Sequence, residues 1–383
     1  MPDLASSVFL DHAAGSPLRQ SVAAAMAEAT AGLVPNPSGA HRYARATRAV
    51  LEEARERIAA VLGVNSREIV LTSGGTESCN LALLGSPKPT MVAISAVEHA
   101  AVRAGAERAA RVHGVPFVVL PVTTDGLVDV DQAIAMITTG ALVSVMAANN
   151  ETGVLQPLDA LVAAAEASGR TMTLHVDAIA SAPTKDTAAI SSGAAMISVA
   201  AQKLGGPVGT GVLVVRSGLS LDPMITGGGQ EGGRRAGTED VAGAVGLACA
   251  LEEARAEQIA GAPLVMRGRR DRLESLLLDA VAGSSVTAQR SERLDGHAHL
   301  TFEGIRSEEL LVLLDREGIA ASAGAACASG APQASHVLLA MGVDPQRARG
   351  ALRMTLATTT TDDDVARAAA AVIRSIEALT AQR

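Results

Sequence analysis

Apolar residues fall at helical spacing through 46–63 (ATRAVLEEARERIAAVLG), with charges between them, which predicts an amphipathic helix. Short β-rich apolar runs follow at Ile69–Thr72, Met91–Ser95, Phe117–Pro121, Leu142–Met146, Thr173–Asp177, Met196–Ala200 and Val212–Val215. Runs of this length, separated by helical patterns, predict strands buried on both faces of a mostly parallel sheet. Seven of them predict an α/β fold with helices on both sides of the sheet.

Residues 227–238 (GGGQEGGRRAGT) read as a glycine-rich loop bearing arginines, and 240–283 as a long helical region. A second pattern then begins. It has a strand-like run at 297–303, a helix at 306–317, a strand at 318–322, a small-residue loop around Cys327 and a last helix from about 361. This predicts a smaller α/β C-terminal domain. No internal repeat stands out.

With 383 residues, the chain has room for two or three domains. Hydrophobic residues at 48% and charged residues at 19% suit a globular protein. No apolar run reaches the roughly 18–20 residues that span a bilayer, and the opening MPDLASSVFLDHAAG lacks a basic leader. The expectation is a cytoplasmic protein with no membrane partner. A net charge of −8 and the absence of a basic block argue against nucleic acid. Trp is absent, and only one Tyr and three Phe occur, so a flat ligand must be stacked by another kind of ring. The three cysteines, Cys79, Cys249 and Cys327, are far apart, which predicts neither a disulfide framework nor a bound metal but leaves room for one functional thiol.

In an open parallel sheet, ligands gather at the carboxyl ends of the strands, and the polar residues of interest here follow predicted strands. Ser73–Ser78 (SGGTES) is either an ordinary capped turn or a phosphate cradle at a helix N-terminus, with Gly75 and Thr76 at its centre. His99 is either an ordinary histidine or the missing stacking ring. Asn150 sits in a turn-like NNETG segment. Asp177 ends a buried strand, where a carboxylate needs a cationic partner such as a protonated pyridine nitrogen. Lys203 reads as a surface lysine on position alone; facing a cofactor pocket, it can instead have a lowered pKa and form a Schiff base. Cys327 lies among Gly, Ala and Ser, which predicts a mobile exposed loop, whereas Cys79 and Cys249 lie in helical apolar contexts and read as inert. Arg353, in an apolar run, needs an anion: a structural carboxylate or a substrate carboxylate held bidentately.

Taken together, VFLDHAAGSPL (8–18), NPSGAH (36–41), VLTSGGTES (70–78), EHAAV (98–102), NNETGVLQPL (149–158), HVDA (175–178), QKLGGPVGTGVLVVR (202–216), GGGQEGGRRAGTEDV (227–241), ASAGAACASG (321–330) and SHVLLAMG (335–342) resemble the class V aminotransferase group of fold type I pyridoxal-phosphate enzymes. Within that group they resemble the cysteine desulfurases with a long, mobile cysteine loop. The resemblance implies a homodimer with a large cofactor-binding domain over 15–255, and a small domain formed by 1–14 and 256–383 that carries the Cys327 loop. It implies the Schiff base on Lys203, the pyridine-nitrogen partner on Asp177, the stacking ring on His99, and phosphate held by Gly75, Thr76 and Gln202, with Thr238 supplied by the other subunit. Asn150 would meet the ring hydroxyl and Arg353 the substrate carboxylate. The implied reaction converts L-cysteine to L-alanine, leaves a persulfide on Cys327 and passes the sulfur to an acceptor protein or small molecule.

Several positions depart from the family pattern. Ala180 stands where a Gln usually bonds the ring hydroxyl, Gln202 where a His precedes the lysine, Ala200 where some members have a phosphate-binding Ser, and Thr355-Leu356-Ala357 where Ser-Leu-Gly is usual. Two other readings stay open: a related lyase acting on selenocysteine or another amino acid, and a cofactor-poor scaffold for sulfur trafficking.

Overall fold

The computed structural model describes residues 7–324 and 334–381, apart from positions 33, 35 and 192. Its strands are β1 (Val8–Phe9), β2 (Ile69–Thr72), β3 (Val92–Ser95), β4 (Phe117–Leu120), β5 (Ala141–Ser144), β6 (Met172–Asp177), β7 (Met196–Ala200), β8 (Gly211–Val215), β9 (Ser284–Val286), β10 (His297–Phe302), β11 (Ile319–Ala320) and β12 (Ala351–Thr355). All seven apolar runs expected to be strands form one seven-stranded sheet in the order β2-β8-β7-β6-β5-β3-β4. Six of these strands run the same way, and β8 alone is antiparallel to its neighbours β2 and β7. The reversal follows from a short connection: 201–210 is a turn through Gly205 and Gly209, both at positive φ, with no crossover helix to bring the chain back parallel.

Alternate residues of each strand feed opposite faces. Leu71, Val143 and Val176 pack with helices α1 (Gln20–Thr30), α2 (Arg42–Leu62) and the helix Val241–Ile259. Val70, Ile94 and Leu213 pack with α3 (Gly75–Leu84) and α4 (Ala100–His113). The expectation of burial on both faces fails at β4. That strand is one edge of the sheet, and its Val119 is 39% exposed, whereas the other edge, β2, is buried throughout.

The single helical region expected over 240–283 is two helices, Val241–Ile259 and Ala262–Ala280. Gly261 at φ 77° breaks them, and Pro263 follows in the first turn of the second. A separate core gathers around the antiparallel sheet β12-β10-β9 and includes Leu273, Leu300, Phe302, Leu352 and Val372. Val8 and Leu10 belong to this core, because β1 pairs in parallel with β11. The strand expected over 318–322 is thus only the two residues of β11, and it lies outside the three-stranded sheet.

The glycine-rich loop is tied to the first core by a buried ion pair. Arg55 of α2 donates from Nη1 and Nη2 to the Glu231 carboxylate, at 2.8 Å each, and Glu231 also accepts the Leu71 N–H at 2.8 Å. These bonds hold Glu231 at φ 50°, a conformation non-glycine residues rarely take. Arg55→Ala leaves the Glu231 charge buried and unpaired, and should cost about 3–5 kcal/mol in denaturant unfolding. A loss under about 1 kcal/mol would show that the pair does not anchor the loop.

Candidate active site

The turn after β2 makes a cradle of N–H groups. Gly74 sits at φ 131° and starts α3 without a side-chain cap, so the first-turn N–H groups face the cleft with no capping oxygen. A Cβ on Gly75 would push against the end of the Ile179 side chain, which would have to move aside. Glu77 accepts the Ser73 N–H at 2.7 Å and pairs with Arg235 at 2.9 Å, joining the cradle to the glycine-rich loop.

His99 caps α4: its Nδ1 accepts the Ala101 N–H at 3.1 Å. Burial lowers its pKa, so the ring is a neutral imidazole. Asp177 ends β6, and burial pushes its pKa up against the lowering effect of the Ile179 N–H, which reaches Oδ1 at 3.0 Å. Its other oxygen accepts from the thiol of Cys79 at 3.7 Å. Such a carboxylate is short of positive charge.

Lys203 lies in the turn after β7, where Nζ donates to the carbonyls of Ala13 at 2.6 Å and Ala14 at 2.7 Å. Burial first, and the Arg353 charge second, lower its pKa to about 8. The surface reading that its position favoured is therefore overturned. Arg353 on β12 donates to the Asn150 carbonyl at 2.9 Å and to Asp11 at 2.7 Å, so the structural ion pair is present. Its Nε is buried without a partner among the described residues.

These groups meet in one cleft of about 650 Å³ between the carboxyl edge of the seven-stranded sheet and β12. Gly75, Thr76, His99, Asn150, Asp177, Gln202, Lys203 and Arg353 all line it. The buried Gln202 Oε1 has no partner among the described residues. Thr238 is exposed on the glycine-rich loop and does not reach the cleft within this chain. Cys327 lies outside the described residues. Ser322 and Gly324, which precede it, line the cleft, and Ser335 beyond it donates to Glu151 at 2.5 Å. A second cavity of about 280 Å³ lies behind Lys203 and shares Ala13, Ala180 and Lys203 with the cleft.

Reading the sequence for site residues missed two contacts. Asp11 lay inside a quoted motif, yet nothing marked it as the partner of Arg353. Cys79 is buried in a helix as expected, but it touches Asp177 rather than apolar groups alone.

The donor set fits pyridoxal phosphate. Free N–H groups at a helix start suit its phosphate, a neutral ring suits its flat face, the under-compensated Asp177 suits its ring nitrogen, and a lysine near pKa 8 suits its aldehyde.

Residues 8–368 match the family described as aminotransferase class-V. The IscS-like cysteine desulfurase of Mycobacterium tuberculosis is 39% identical over 363 residues, covering 92% of this chain and 91% of that protein. A solved NifS-like protein superposes with a TM-score of 0.89 at 30% identity, covering 97% of this chain and 99% of the other. SspA, solved in complex with cysteine, gives a TM-score of 0.77 at 28% identity over 93% of this chain and all of that one.

Proposed function

Because this chain belongs to the class V aminotransferases, with their fold type I architecture and pyridoxal phosphate, we propose that it is a cysteine desulfurase that converts L-cysteine to L-alanine and carries the released sulfur on Cys327. The observation that carries this reading is the convergence of Lys203, Asp177, His99 and Arg353 on one cleft whose wall includes Ser322 and Gly324, shortly before Cys327 in sequence.

When bound, the cofactor supplies an electron sink for the carbanion formed at the substrate α-carbon. Gly75, Thr76 and Gln202 hold its phosphate, with Thr238 arriving from a second copy of the chain. Asp177 holds the proton on the ring nitrogen, His99 stacks on the ring face, and Asn150 meets the ring hydroxyl. Arg353, which lines the cleft, takes the substrate carboxylate while Asp11 and the Asn150 carbonyl fix the guanidinium plane. Lys203 Nζ, half neutral near pH 8, takes the α-proton. The Cys327 thiolate attacks the substrate sulfur: an S–S bond forms, the Cβ–S bond breaks with its electron pair left on carbon, and protonation there, with the α-proton returned by Lys203 Nζ, gives alanine. The persulfide then passes sulfur to an acceptor protein or small molecule.

The same reading takes 15–255 as the cofactor domain, and 1–14 with 256–383 as the second domain. The packing of Val8 and Leu10 with Leu273 and Leu352 supports it. It also takes the protein as a cytoplasmic homodimer. Among the described residues, no helix is long and apolar enough to cross a membrane.

Ala180, on the wall between the cleft and the smaller cavity, leaves room for a longer side chain. Ala180→Gln should tighten pyridoxal phosphate by roughly 2- to 12-fold, the worth of one net hydrogen bond. Unchanged affinity in a fluorescence titration would mean that the glutamine does not reach the ring hydroxyl. The reading as a whole is tested by giving the yellow purified protein L-cysteine and measuring alanine. Alanine formed in step with protein-bound sulfur supports it; a yellow protein that makes no alanine overturns the substrate.

A further inference from the structure

Helix α3 reaches the cleft directly at its first turn and indirectly through Asp177. Its first residues, Gly75 and Thr76, form the N–H cradle, and three residues later Cys79 turns its thiol onto Asp177 Oδ2 at 3.7 Å. The other carboxylate oxygen is taken by the Ile179 N–H. Behind the thiol lies a buried polar row. The Ser198 hydroxyl meets Cys79 and is 2.8 Å from His175 Nε2, and His175 Nδ1 is 2.8 Å from the Ser144 hydroxyl. Burial lowers the His175 pKa to about 3, so this row is neutral. Glu98 is the other acid facing this region; it is fully buried, and burial raises its pKa to about 8. The neutral His99 ring and Lys203 are the other titratable groups facing Asp177. Burial and the Asp177 charge both keep the Cys79 thiol protonated, so it is a donor rather than a nucleophile.

A donor bonded to a carboxylate lowers its proton affinity, and N–H donors do so strongly. A thiol is a weak donor. We propose that Cys79 is a positioning residue for Asp177: its weak S–H bond leaves most of the carboxylate's basicity for the cofactor's ring nitrogen while fixing where the carboxylate points. This rests on the assignment of Asp177 as the ring-nitrogen partner, but not on the substrate or on Cys327.

The test uses protein reconstituted with pyridoxal phosphate labelled with ¹⁵N in the ring. In Cys79→Ala, Asp177 loses its weak donor and becomes more basic by about half a pH unit. The cofactor should bind about threefold tighter, and the ¹⁵N resonance should move toward its unprotonated position. Cys79→Asn, which puts an amide N–H on the same oxygen, should move both readouts the other way. A merely structural role predicts weaker binding in both variants, and that result, or a ring resonance unmoved in Cys79→Ala, overturns the proposal. Should the Asn variant not fold, the native thiol is read directly in a Cys249→Ser, Cys327→Ser background. Its infrared S–H stretch should shift when cofactor is removed, and a stretch that stays put overturns the proposal. The alanine assay is independent: its failure removes the desulfurase reading and leaves these shifts as expected.

Discussion

Lys203→Ala should lower turnover of L-cysteine by at least about 10⁴-fold, because one side chain both attaches the cofactor and moves the α-proton. Proton transfer by a positioned group is worth about 10²–10⁴ alone, and loss of the covalent attachment adds to it. The geometry explains why no neighbour substitutes. Nζ is held by the Ala13 and Ala14 carbonyls, and among the described residues the other cation on the cleft wall, Arg353, is engaged by Asp11 and the Asn150 carbonyl. Borohydride should fix cofactor to the wild type and not to the variant. Cofactor should still bind the variant through the α3 cradle, Asp177 and His99, and added methylamine should restore part of the rate. Activity within tenfold of wild type would move the proton transfer to another residue.

Cys327→Ala should abolish alanine formation, to below about 1% of wild type, while leaving the visible cofactor band unchanged. The two halves of that expectation come from different places. The groups assigned to the cofactor belong to the seven-stranded sheet and its turns, so the band does not depend on Cys327. The thiol is needed because the substrate sulfur must leave toward an acceptor, and Cys79 and Cys249 both have thiols held protonated by burial. Mass spectrometry of the wild type after one turnover should show one extra sulfur on the peptide containing Cys327. If Cys327→Ala still makes alanine at the wild-type rate, sulfur leaves without a thiol acceptor, and the selenocysteine-type lyase becomes the better description.

The sheet was legible because its strands are short, apolar and regularly spaced, and a buried strand has little freedom to look otherwise. The order of the strands was not, since nothing in Gly211–Val215 marks it as the one strand that runs backward. The break at Gly261 was visible as a glycine two residues before a proline, a signal outweighed by the helical pattern on each side. Lys203 on position alone read as a surface residue, because burial comes from Ala13 and Ala14, about 190 residues away in sequence. The Arg353–Asp11 pair and the Cys79–Asp177 contact were hidden for the same reason: an ion pair or a thiol contact across the fold leaves no periodicity behind. Thr238 could be assigned only through the family resemblance, since the cleft in one copy of the chain does not include it.

The pairing of β1 with β11 sets a timetable for synthesis. Val8 must wait for Ile319 before it can pair, an interval of about 300 residues. At roughly 5–20 residues per second, that is about 15–60 s on the ribosome. In that time the turns that line the cofactor end of the cleft, from Ser73 to Lys203, have all emerged, while Asp11 still lacks Arg353. The nascent chain therefore carries its own share of the cofactor's half of the cleft, all but Thr238 of a second copy, well before the substrate's half exists. Cofactor added during translation should therefore find its contacts at a stage when no amino acid can yet be turned over.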